Sequence, residues 1–204
     1  MNTIRHIAAF ATAALLSACG GGGDDAGNGD TTLPTGPGTT GTAAAYAGTW
    51  KSDCYETDLI VQASAPNTPL KVTTTLVLTA VNDKQLSFVD ITDVYPGTGC
   101  TGTPLRTHRN ESTVNAVVLD CPATVAAVAA DKVTITSGPL GGGIMAGSTI
   151  TLNGFIYPGD FFSKTEVVKD VLRIANGQLF FGSEDDRGAD GYPTAFDADP
   201  LTKQ

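Results

Sequence analysis

From residue 46 onward the apolar positions recur with a period of two more often than with the 3.6 of a helix. In "KVTTTLVLTAV" (71–81) Leu76, Leu78 and Ala80 alternate with threonines and valines. In "QLSFVDITDVY" (85–95) Val89 and Ile91 alternate with acids and polar residues. Both predict strands, joined by a tight turn at 82–84. "STITLNGFIY" (148–157) predicts a further strand with Ile150, Leu152 and Ile156 on one face. "VVKDVLRIANGQLFFG" (167–182) predicts a hairpin, because Asn176-Gly177 accepts the positive φ angles of a type I′ turn. Two more strands are expected over 107–119 and 131–137. Between them "PATVAAVAA" (122–130) fits either a short helix opening on Pro122 or another strand. "GPLGGGIMAG" (138–147) is too rich in glycine for packed secondary structure and predicts a mobile loop.

The sum is about eight to ten short antiparallel strands, with no alternation of strand and helix that would build a parallel sheet. The predicted class is all-β, either an up-and-down barrel or a sandwich. Adjacent phenylalanines set a condition on it. Phe180 and Phe181 point to opposite faces, so one lies outside the main core unless a second layer covers it. Phe88, Phe155, Phe161 and Phe162 join them as residues that fill a core or line a cavity.

The amino-terminal segment follows a different pattern. Arg5 precedes an apolar run, "IAAFATAALL", of about ten residues, half of what a bilayer core requires. Residues 1–18 therefore predict a secretory signal peptide. Residues 20 to 43, "GGGGDDAGNGDTTLPTGPGTTGTA", hold no large apolar side chain beyond Leu33 and cannot bury enough surface to offset the entropy of ordering. The predicted organisation is a signal at 1–18, a flexible tether at 19–43 and one folded domain at 44–204.

Charge narrows the function. The formal net charge is −9, and loss of Arg5 with the signal would make it one unit more negative. Nucleic-acid binders carry basic stripes, so nucleic acid is excluded as a partner. Arg106, His108 and Arg109 form a basic cluster; strand alternation splits them between faces, which suits solvent-facing decoration better than capture of an anion. With His108 the only histidine after the signal, and without Gly-x-Ser-x-Gly or a phosphate loop, the usual hydrolase machinery has little to build on. No catalytic residue and no cofactor are assigned. In the acidic tail, Asp186, Gly188, Asp190, Gly191 and Asp197 fall at calcium-loop spacings, but position three is glycine and position twelve lacks glutamate. A solvated turn is the expectation there, with no metal ligands.

Two sets of motifs carry resemblances. Leu16-Ser17-Ala18-Cys19 directly after the apolar run resembles the lipobox of bacterial lipoproteins. The resemblance implies lipidation of Cys19 and cleavage before it, with the mature chain held on a membrane; Gly20 in place of aspartate favours the outer membrane by the same resemblance. Several acyl chains are what stable anchoring needs, since each buried methylene contributes about 0.8 kcal/mol. Gly48-Thr49-Trp50 with Cys54, "VYPGTGCTG" with Cys100, and the ending "LFFGSEDDRGADGYPTAFD" resemble bacterial lipoproteins with a lipocalin-like barrel. That family implies Trp50 as an anchor at one barrel end and a Cys54–Cys100 disulfide, which leaves Cys121 as a free, buried thiol with no base beside it. It also implies a non-catalytic carrier of a small apolar or amphipathic ligand. A structural or interaction module of the cell envelope with a solid barrel core is the alternative.

Overall fold

The computed structural model describes residues 41–56, 70–138, 149–152, 155–158 and 165–204. The signal peptide, Cys19, most of the tether, the glycine-rich loop and the pair Phe161 and Phe162 lie outside the described residues. One short helix, α1 (Ala43–Tyr46), precedes the strands β1 (Gly48–Lys51), β2 (Tyr55–Glu56), β3 (Leu70–Asn82), β4 (Gln85–Pro96), β5 (Arg106–Asn110) and β6 (Ala116–Val125). They are followed by β7 (Val128–Ser137), β8 (Thr149–Leu152), β9 (Phe155–Pro158), β10 (Glu166–Ala175), β11 (Gln178–Phe181) and β12 (Leu201–Lys203).

Eight of these strands close on themselves. The hydrogen-bonded order runs β3, β1, β12, β11, β10, β7, β6, β4, and β4 returns to β3, every pairing being antiparallel. Closure removes the free edges that an open sheet would expose. The fold is therefore an all-β antiparallel barrel. β2 and β5 extend it, because β3 and β4 are longer than the ring requires. Near its start β4 pairs with β6 (Leu86↔Val117), and further on it pairs with β5 (Thr92↔His108). β2 takes the matching place on β3 (Tyr55↔Val72). The Cys54–Cys100 disulfide, with Cα atoms 5.6 Å apart, ties the start of β2 to the loop between β4 and β5. β8 and β9 form a separate two-stranded sheet.

Inside the ring, one apolar cluster draws on all eight strands. It contains Trp50, Leu78, Leu86, Phe88, Val117, Leu119, Val133, Leu172, Leu179, Phe181 and Leu201, together with Ala43 and Tyr46 of α1. A second apolar layer lies outside the wall: Val125, Ala130 and Val171 pack against Tyr192 and Phe196 of the segment 182–200. That segment is a strap across the outer face. It satisfies the condition set by the adjacent phenylalanines, for Phe181 points into the core and Phe180 meets Phe196 edge-on at 6.4 Å.

Several sequence expectations are corrected. The apolar face of β4 is formed by Leu86 and Phe88, not by Val89 and Ile91; both faces of this strand carry apolar residues, and pairing with β3 decides which turns inward. The strand expected over 107–119 is two strands, since β4 exchanges one neighbour for another at this point. The strand expected over 148–157 is the β8–β9 pair, with Leu152 opposite Phe155. The dipeptide between them is Asn153-Gly154, which favours a hairpin over a continuous strand. Residues 122–130, open between helix and strand, belong to the β6–β7 hairpin. Its turn places Ala126 and Ala127 at φ of 47° and 63°, a left-handed conformation that costs alanine about 1–2 kcal/mol per residue. Pairing of Val125 with Val128 and burial of Val125 and Ala130 under the strap offset that cost. The β10–β11 hairpin turns at Asn176-Gly177 with φ of 52° and 75°, as expected.

Candidate functional site

The two ends of the barrel differ in chemistry. At one end, α1 lies across the opening. The Ala43 N–H donates to the Asp83 carbonyl in the β3–β4 turn at 2.9 Å. The Trp50 indole Nε1–H donates to the Tyr46 carbonyl at 2.8 Å, and the ring is 1% exposed. The Tyr46 hydroxyl donates to Asp131 Oδ2 at 2.7 Å, with the Leu172 carbonyl 3.2 Å away. Burial, reinforced by the hydrogen bond to the Asp131 carboxylate, pushes the Tyr46 phenol far above its ordinary pKa. Gly41 adds its own N–H to Asp131 Oδ2 at 3.1 Å. Ordered contacts with the barrel thus begin ahead of residue 44.

Trp50 is covered on its other side by the last strand. The Lys203 ammonium sits 5.2 Å from the ring centroid, a cation over an aromatic face. Gly48, two residues earlier at φ +143°, leaves room for that lysine; a Cβ there would lie 3.0 Å from Lys203 Cε. Gly48-Thr49-Trp50 is thus a backbone that admits the lysine stem, followed by the indole that seals the end.

The opposite end is polar. Asp90 and Thr92 follow Leu86 and Phe88 on the inward face of β4 and are half-buried. Asn110 lies across from Asp90 and is buried, and Asn115 is buried beside it. The Asn115 amide Nδ2 donates to the Phe88 carbonyl at 3.2 Å and to Asn110 Oδ1 at 3.2 Å, while its Oδ1 accepts the Gly138 N–H at 2.8 Å. One side chain thereby holds β4, β5 and the end of β7 where β4 changes partner. Nothing in the local sequence marks Asn115, because its role exists only after three distant strands meet. Glu166 stands opposite Ser137 at the same end, its carboxyl pKa raised by burial. Arg106 and His108 occupy the register positions across from Val94 and Thr92. Arg109, on the alternate position, is half exposed and pairs with Glu111 at 2.6 Å.

The acidic tail is better packed than the solvated turn expected of it. Tyr192 lies between the Lys132 and Lys169 ammonium groups, each 4.9 Å from its ring, and its hydroxyl donates to Asp120 Oδ2 at 2.7 Å. Burial and that carboxylate push the phenol up to about 12. The Lys132 ammonium donates to Asp190 Oδ2 at 2.7 Å and holds its carboxyl below the usual range. Gly182 admits the strap, since a Cβ there would collide with Pro193. Among the described residues no group of three or more His, Cys, Asp and Glu side chains is placed to hold a metal ion.

The cysteine expectation is corrected at one position. Cys54 and Cys100 are bonded to each other. Cys121 is also disulfide-bonded and is not the free thiol that the pairing of the other two implied. It stands on β6 opposite Lys132, next to Asp131, where Gly41 meets the barrel.

Comparison of the chain with protein-family models, with curated proteins and with solved structures finds no match.

Proposed function

We propose that the protein is a lipoprotein of the bacterial cell envelope, anchored at the outer membrane by a lipid on Cys19. Its lipocalin-like barrel binds a small apolar or amphipathic molecule at the polar end and performs no catalysis. The observation that supports this reading is the asymmetry of the barrel: α1 and Trp50 seal one end, while buried amides and half-buried carboxylates ring an apolar interior at the other. A binding site of this kind offers apolar area for affinity and a few polar groups for orientation.

A second reading is a structural or interaction module with a solid core. It is favoured by the packing of inward side chains from all eight ring strands and α1 into a single cluster. Native mass spectrometry of the delipidated protein from its producing cell separates the two. A retained small molecule, displaced by a fluorescent fatty-acid analogue, is expected for the carrier. Absence of retained mass and of analogue binding would leave the solid module.

The anchor has its own test. Cys19 is the one cysteine besides Cys54, Cys100 and Cys121. Intact mass of the membrane-extracted chain should show the acyl mass on Cys19. A Cys19→Ser chain that stayed with the membrane fraction would refute the anchor.

A further inference from the structure

The strap across the outer wall is bonded to itself along its backbone. The Ser183 N–H donates to the Ala195 carbonyl at 2.9 Å, that of Gly188 to Tyr192 at 2.8 Å and that of Thr194 to Asp186 at 2.8 Å. To the wall it presents side chains. Tyr192 fills a slot between the Lys132 and Lys169 ammonium groups, with Asp120 at its hydroxyl, and Phe196 meets Phe180. Asp190 accepts from Lys132 through its carboxylate and from Lys169 through its carbonyl, each at 2.7 Å. The two ends of the strap stay fixed, for Phe181 and Leu201 belong to the core of the ring. The strap therefore has the build of a loop that lifts as a local unit without undoing closure of the barrel.

Charge is sorted between the two layers. Residues 182–200 hold six acids and one arginine. The wall beneath offers Lys132 and Lys169 beside Val125 and Val171, and Arg173, which follows Val171 on the same face of β10, is 1% exposed and stands opposite Phe180. We propose that this wall is a docking surface for an acidic segment carrying two aromatic residues four positions apart, supplied by a partner protein. The strap is its resident occupant and competes with that partner. Its seating on the wall is the observation that selects the chemistry: Tyr192 and Phe196 are the two anchors, and Asp190 is the acid between the lysines.

A chain of net charge −9 repels an acidic partner over most of its surface; the cations gathered under the strap replace that repulsion with attraction. A ring between two ammonium groups gains about 0.5–1 kcal/mol from each, and the second aromatic adds burial over Val171 and Phe180. An occupied wall lowers the affinity for a partner by the fraction of chains in which the strap is lifted. How firmly the strap is seated thus sets how readily the partner docks. The inference is independent of both the ligand in the barrel and the lipid.

The probe is a fluorescein-labelled peptide with the sequence of residues 184–198, titrated by fluorescence anisotropy into the full chain carrying Cys19→Ser. With the strap weakened by Tyr192→Ala, a Kd on the order of 100 μM is expected, and the chain with its intact strap should bind at least about tenfold more weakly. Phe196→Ala weakens the strap at its other anchor and serves should the first variant fold poorly; the emission of Trp50, inside the ring, reports that the barrel is intact. Peptides with both aromatics changed to alanine, or with Asp190→Lys, should lose at least about fivefold in affinity. Three outcomes would each overturn the proposal: no binding by either weakened chain up to about 1 mM, equal binding of the altered peptides, or equal binding by the intact and weakened chains. A weakened chain that dimerised non-covalently while refusing the peptide would overturn it as well, and make the wall an interface between copies.

Discussion

The Tyr46 hydroxyl donates to the Asp131 carboxylate at 2.7 Å across 85 residues of sequence, joining the segment that enters the domain to the strand that completes its far wall. Both groups are buried. A hydrogen bond to a charged acceptor contributes about 1.5–3 kcal/mol net. Tyr46→Phe is therefore expected to lower unfolding free energy by about 2 kcal/mol in urea titration. It should also free the Trp50 end, seen as a red shift of the single tryptophan's emission. An unchanged midpoint and spectrum would show that α1 closes the end by packing alone.

Alkaline pH should unfold the protein through its tyrosines. The Tyr192 phenol is raised to about 12 by burial and Asp120, and Tyr46 is raised by burial and Asp131. A group whose folded pKa exceeds its unfolded value stabilises fully below the unfolded value and loses that contribution as pH rises through the folded one. Stability should hold to about pH 10 and fall between about pH 10 and 12. Phenolate absorbance should lag behind that of free tyrosine until the barrel opens. Tyr192→Phe should flatten the decline; a decline as steep in the variant as in the parent would assign it to other groups.

The Ala126-Ala127 turn is an unoptimised hairpin. Replacing it with Asn-Gly removes left-handed alanines at both positions and is expected to raise stability by about 1–2 kcal/mol. Chemical denaturation would read the gain. A loss would mean that the two methyl groups pack beneath the strap more tightly than their exposure indicates.

At the polar end, Asn115→Ala removes bonds to the Phe88 carbonyl, the Asn110 side chain and the Gly138 N–H at once. The three buried partners left behind should cost about 2–4 kcal/mol. Gly138→Ala should do comparable damage, since a Cβ there would overlap the Ser112 side chain. Hydrogen exchange should report the loss first at β5 and the end of β7. Uniform protection loss would instead place Asn115 in the global folding unit.

Cys54 and Cys100 lie 46 residues apart in sequence. In the chain-entropy account, closing such a loop in the unfolded state contributes roughly 4 kcal/mol. The Cys54→Ala, Cys100→Ala pair should lose about that much and release β2 from β3 before the ring itself opens, which amide exchange at Tyr55 and Val72 would resolve.

What the sequence by itself determined were the features that depend on near neighbours. Alternation over 71–81 and 85–95 marked the long β3–β4 hairpin, and Asn176-Gly177 marked its own turn, because a left-handed backbone is a local demand. The adjacent phenylalanines set one condition locally, that one of them lies outside the main core unless a second layer covers it; the strap is that layer. Tertiary structure alone decided which face of β4 turns inward, since both faces are apolar and the choice belongs to the register with β3. It decided that 107–119 breaks into two strands, because the break occurs where β4 changes neighbour. It decided that Asn115 and Asp131 are junctions, for Phe88 and Gly138 lie more than twenty residues from Asn115, and Tyr46 lies 85 from Asp131, and they become neighbours only when the ring closes.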